Sequence, residues 1–319
     1  VWIARQLRAR SRRRLALNAA SLLTAAFVVA LVARHVALHG FPLARANPQL
    51  AAAAGVLFLL AYALKAFGWQ RLFITHERPR SLTLAAASGA ACVGGAALPG
   101  RVDDAIRIAV VRRFSGGQAG VSTLCLSLFM LGLVDTVALA PFASAAAATG
   151  GVPMPLRIGL AVVAAAGLGA ALVMLALPRL TGSARLARFR VAGWLAARTT
   201  CAHDAWKATV LVALSWLVRA GALVLVLGAL GVGLSVPLAV LFLCAAAASG
   251  ALPVTPAGAA TQAGAGAAVL VAGGLTTTQA IGVALAAQTL VMLAGAAVCV
   301  FAVAWTGGSR LARGRLSTV

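Results

Sequence analysis

Ala87-Ser88-Gly89-Ala90, followed by Leu98-Pro99-Gly100, stands in an apolar stretch over residues 82–99. Ala248-Ser249-Gly250-Ala251, followed by Leu252-Pro253 and Pro256-Ala257-Gly258, stands in a second over 237–274. Proline removes a backbone donor and clashes with the preceding turn, so neither stretch reads as one straight helix. A break at membrane depth is tolerated only where protein or a water-filled cavity surrounds it. Both stretches therefore read as broken or re-entrant helical hairpins. The competing reading is two ordinary kinked spans. Related broken segments of opposite orientation mark an inverted-repeat transporter.

The remainder of the chain places these hairpins in a bilayer. Of 319 residues, 62% are hydrophobic and only 10% charged, and the mean hydropathy is +1.00. Soluble domains are roughly 45–50% apolar and about 25% charged. That balance excludes an ordinary water-soluble core, and it excludes disorder, which needs low hydrophobicity. Apolar runs at 15–32, 50–69, 121–148, 158–177, 208–230 and 279–305 are each long enough to cross about 30 Å of hydrocarbon. The expected fold is an all-α integral membrane protein, with about six spanning helices plus the two hairpins in an inverted repeat. Residues 1–14 are expected to form a basic N-terminus. A single membrane domain then covers 15–305, with inverted halves at 50–148 and 158–305, and 306–319 form a basic tail.

Lys and Arg number 27 against 5 Asp and Glu, a net charge of +22. Such a charge can signal nucleic acid, but basic loops that orient a membrane protein and meet anionic lipid account for it, so no nucleic-acid partner is expected. The arginines at 5, 8, 10, 12, 13 and 14 precede the first apolar run. A signal peptide is the alternative reading of that pattern, and Ser11-Arg12-Arg13 hints at twin-Arg export. The run is long for a signal peptide and no A-x-A site follows it directly, so a first spanning helix fits better. With both termini in the cytoplasm, and the hairpins opening to opposite sides, every strongly basic loop falls inside. The five cysteines are scattered, without CxxC or a Cys/His cluster. No disulfide framework, metal site or cofactor is expected.

Asp135 and Arg219 each lie near the middle of an apolar run, where an unpaired charge costs about 2.5–3.5 kcal/mol on insertion scales. They are expected to pair, as a static brace or as the lining of a polar cavity. Lys65 is expected to snorkel to the near interface. Glu77 reads as solvated, and Asp204 as a loop or helix-start residue near Lys207 with no special role. Asp103 and Asp104 lie four and three residues before Arg107, a spacing that makes local ion pairs on a helix. Arg101 follows the Pro99-Gly100 break, and helix N-termini and Arg both bind phosphate. The second break offers Thr255, Pro256, Gly258, Thr261 and Gln262.

The run Leu98-Pro99-Gly100-Arg101-Val102-Asp103-Asp104-Ala105-Ile106-Arg107, with Arg112-Arg113 and then Val134-Asp135, resembles the lysylphosphatidylglycerol synthase transmembrane regions, also called flippase-like membrane domains. The resemblance covers roughly residues 15–305, and Asp104, Arg107 and Asp135 fall on the family's motif positions. The second motif departs from the pattern. Ala257 stands where the family has Gly, and Gln262 or Ala263 takes the place of a Glu. The resemblance implies a domain that moves a phospholipid or a lipid-linked anionic substrate between leaflets of a bacterial cytoplasmic membrane. No stretch suits a synthase domain, so no enzymatic step is expected. Alternatives are a membrane-embedded lipid-modifying transferase and a non-transporting anchor for a separate synthase. A homo-oligomer is a further possible assembly. The lipid-binding residues expected are Arg101, Asp104, Arg107, Asp135, Arg219, Pro256, Gly258 and Gln262.

Overall fold

The computed structural model describes residues 33–34, 36–38, 40–97, 102–114, 119–148, 153–181, 202–251 and 258–316. The first expected span (15–32), the N-terminal arginines, Arg101, Pro256 and both proline breaks lie outside the described residues. The described elements are helices: α1 (Pro48–Gln70), α2 (Ser81–Ala97), α3 (Val102–Phe114), α4 (Val121–Ala148), α5 (Met154–Thr181), α6 (Ala202–Ala229), α7 (Val236–Ala251), α8 (Gly258–Ala272) and α9 (Thr277–Leu316), with short 3-10 turns at Pro42–Arg45 and Thr75–Glu77. Five are long and apolar enough to cross a membrane: Pro48–Gln70, Val121–Ala148, Arg157–Met174, His203–Ala229 and Thr277–Trp305. They fall on five of the six runs expected from the sequence. Large apolar side chains such as Leu168, Leu172, Leu293 and Phe301 face outward, as a lipid-facing surface requires.

Helix α1 starts at a built cap. The Asn47 side chain accepts hydrogen bonds from the backbone N–H of Gln49 and Leu50 at 3.0 and 3.3 Å. Pro48 occupies the first turn, where its missing N–H costs nothing. The Asn47 N–H also donates to the Ala229 carbonyl at 2.9 Å. This joins the start of α1 to the end of α6, and the two helices run antiparallel. Gly228 lies beside Leu50, Gly221 beside Leu57, and Gly68 against Ala208 and Val212. At the other end, Trp69 Nε1 donates to Ser127 Oγ at 3.1 Å, so α4 begins where α1 finishes. The bundle thus has an Asn47 end and a Gln70 end.

That frame settles the two broken stretches. Helix α2 runs back alongside α1 from the Gln70 end. A Cβ at Gly89 would collide with the backbone of Gly295 in α9, itself in contact with the Tyr62 hydroxyl of α1. Helix α3 folds back on α2, with Ile106 over Gly94 and Asp103 beside Gly95, and returns the chain to the start of α4. Helices α7 and α8 form the second hairpin. Phe242 covers Gly266, and Leu238 lies against Gly273. This hairpin leaves the Asn47 end after a tight turn, where Gly231 and Gly233 take positive φ. The arms are 17, 13, 16 and 15 residues long, all short of the ~20 that cross a bilayer. These are hairpins entering from opposite ends, not kinked spans. Helix α9 passes α2 in the reverse direction, and the Cys299 thiol donates to the Ala86 carbonyl at 3.3 Å. Small residues at these crossings let the backbones approach, the usual device of packed membrane helices.

Candidate functional site

Three spanning helices meet at one acid. Asp135 lies roughly 20 Å into α4 at 1.5 Å per residue, well inside an apolar run. Lys65 Nζ of α1 contacts its Oδ2 at 2.7 Å and its Oδ1 at 3.0 Å. Trp216 Nε1 of α6 donates to Oδ1 at 2.9 Å. The Lys65 and Asp135 side chains are only 15% and 21% exposed. Lys65 therefore does not snorkel to the interface but turns inward to an acid that would otherwise be an isolated buried charge.

Arg219 has a different setting from the one expected. It lies one turn beyond Trp216, with its guanidinium carbon 5.1 Å from the Trp216 ring centroid and 5.8 Å from that of Tyr62. Among the described residues no carboxylate lies within 4 Å of it, so the expected Asp135–Arg219 pair does not form. The reason is register. Trp216 and Lys65 reach Asp135 first and occupy both of its oxygens, leaving Arg219 against ring faces, where a cation is held by the ring quadrupole. Tyr62 also links α1 to α9, its hydroxyl donating to the Val291 carbonyl at 3.5 Å.

The first hairpin brings a second charged group. Arg107 bridges Asp104 at 2.6 Å and Asp103 at 3.7 Å, the spacing read from the sequence. Both acids sit in the first turn of α3, where they also complement the helix dipole. Asp104 is 52% exposed.

Of the expected site residues, Asp135 and Arg219 lie on either side of Trp216, while Asp104 and Arg107 pair with each other on α3. Gly258 opens α8, and Gln262 is half-buried in the same helix, with no hydrogen bond to the charged group. Lys65, Tyr62 and Trp216 were missed. Their available signal was position, since each lies in an apolar run, and Lys65 is one of only two lysines in the chain. Asp204 does sit in the first turn of α6, as expected, but it has a role beyond that: it binds Arg78 at 3.4 Å and Arg71 at 3.7 Å, so it ties the start of α6 to the loop after α1. Glu77 is half-buried, with one carboxylate oxygen enclosed and unbonded. It is not simply solvated.

A family model described as the lysylphosphatidylglycerol synthase transmembrane region matches residues 18–311. The chain belongs to that family. The match is to the membrane region of such synthases, and it embraces both hairpins and every charged residue of the interior cluster. No curated protein and no solved structure matches significantly.

Proposed function

We propose that this member of the synthase transmembrane family moves a phospholipid, or a lipid-linked anionic substrate, between leaflets and changes none of its covalent bonds. The observation that carries this reading is Arg219. A guanidinium set among membrane helices, with no carboxylate of the described residues within 4 Å, is an open cation beside a Lys65–Asp135 pair that already balances itself. Guanidinium is well matched to phosphate, which accepts paired N–H donors from its planar fork. Asp103 and Asp104 share the single Arg107, which leaves negative charge for a cationic headgroup substituent. A lipid headgroup cannot cross hydrocarbon unaided because its charge would lose hydration. Fixed charges along a sheltered path lower that barrier. Hairpins opening from opposite ends supply alternate access, which suits an inverted repeat with halves at 50–148 and 158–305. The Gln70 end bears Arg71, Arg78, Arg80, Arg112 and Arg113, so the positive-inside rule assigns it to the cytoplasm.

The test is transport by the purified chain in liposomes carrying a fluorescent anionic phospholipid, read by dithionite quenching of the outer leaflet. Quenching past the outer-leaflet fraction, with the lipid recovered chemically unchanged, is the expected result. Quenching no deeper than in empty liposomes, across anionic and aminoacylated lipids, would reject transport. A modified lipid product would favour a transferase instead.

A further inference from the structure

A cavity of about 430 Å³ opens at the Gln70 end between α2, α3 and α9, within the roughly 300–1,000 Å³ typical of ligand clefts. Its polar lining residues gather at the Gln70 end, interleaved with the apolar Leu82 and Phe114. On the α2 side, Arg80, Ser81 and Thr83 stand at the mouth, and Ala86 and Ala90 lie deeper. On α3, Phe114 is at the rim and Val110 lies further in. On α9, Trp305 is at the rim and Ala302 lies further in. The cavity is basic and hydroxylated at the interface and apolar towards the bilayer centre. That is the polarity gradient of a membrane lipid lying alongside it.

Charge narrows the occupant further. Arg71 and Arg78 are engaged by Asp204, whereas Arg80 is exposed and makes no ion pair among the described residues. Trp305 is 60% exposed and has the amphipathic ring that sits at headgroup level. We infer that this cavity is a docking groove for a phospholipid of the leaflet at the Gln70 end. Its anionic headgroup rests on Arg80, and one acyl chain lies along the α2–α9 seam, on the side facing α3, against Ala86, Ala90 and Ala302. The inference rests on the proposed lipid substrate and adds where it enters, from the same end as the charged hairpin.

The experiment uses the full chain in liposomes containing a phosphatidylglycerol probe with a photoactivatable diazirine midway along one acyl chain. Cross-linked positions are mapped by mass spectrometry. Label is expected to concentrate on Ala86, Ala90 and Ala302, above the exposed lipid-facing Leu168 and Leu172. Val303→Trp, an exposed position at the rim that leaves the core intact, should bring the groove label down to the Leu168 level. Arg80→Glu should lower label from the anionic probe by about fivefold or more, with little effect on a phosphatidylcholine probe. Uniform label around the bundle, or groove label unchanged by both variants, would overturn the groove. Label does not require transport. Groove label without leaflet exchange keeps the groove and rejects the transporter, and exchange with uniform label does the reverse.

Discussion

The two hairpins are nearly equal in length and enter from opposite ends, but their chemistry is unlike. The α2–α3 hairpin carries Asp103, Asp104, Arg107, Arg112 and Arg113. The α7–α8 hairpin carries no charged residue, and none occurs anywhere between Arg219 and Arg310. An arm with three charges in its first two turns is stable at membrane depth only beside water or other charges. An arm of Ala, Gly, Val and Leu is free to lie against helices or lipid. Among the described residues, the charged side chains set in the membrane region therefore belong to the first hairpin and to the Lys65–Asp135–Arg219 cluster. The second hairpin offers an apolar wall with one amide, Gln262.

The comparison predicts where substitutions hurt. The largest effect falls on the charged side. Asp135→Ala leaves Lys65 buried and unpaired, so the expected loss is about 3–5 kcal/mol of stability, read as lowered thermal unfolding in detergent. Replacing both partners, as Lys65→Met with Asp135→Leu, should recover much of it. The uncharged hairpin should resist gaining a charge. Gln262→Glu is expected to cost about 2–3 kcal/mol in the same assay. A variant as stable as the parent would show that this hairpin lies in a polar cavity after all. A glycine pair sharpens the contrast further. Gly89→Ala presses on the backbone of Gly295, which cannot yield, and should cost about 1–3 kcal/mol. Gly266→Ala presses only on the Phe242 ring, which can turn, and should cost less. Asp104→Asn is the smallest change. Asp104 is half-exposed and its pair with Arg107 lies within one helix, so only about 0.2–0.5 kcal/mol is at stake.

Five spans and both hairpins were legible in the sequence, because run length and proline position act locally. The Asp103/Asp104–Arg107 pairs were legible for the same reason, being fixed by spacing within one helix. The partner of Asp135 was not. Lys65 and Arg219 are both cations on apolar helices, and choosing between them needs the register of α1 and α6 against α4. Packing at Gly68, Gly221 and Gly228 sets that register. Trp216 was invisible for a related reason. An indole in an apolar run reads as core until a carboxylate is placed opposite its N–H. The assignment of Lys65 to the interface failed because distance from the helix end was weighed without the acid that draws it inward.

The central claim is that the open cation at Arg219 receives the lipid phosphate. Its most direct measurement is the liposome exchange rate of a fluorescent anionic phospholipid for Arg219→Gln, beside the parent chain and Gln262→Ala. Arg219 contributes only ring contacts worth about 0.5–2 kcal/mol, so the variant should remain folded by size-exclusion profile. The account predicts at least a roughly tenfold slower exchange for Arg219→Gln, the loss of one charge-assisted contact, and a rate near the parent's for Gln262→Ala. A folded Arg219→Gln protein that exchanges lipid as fast as the parent would contradict it.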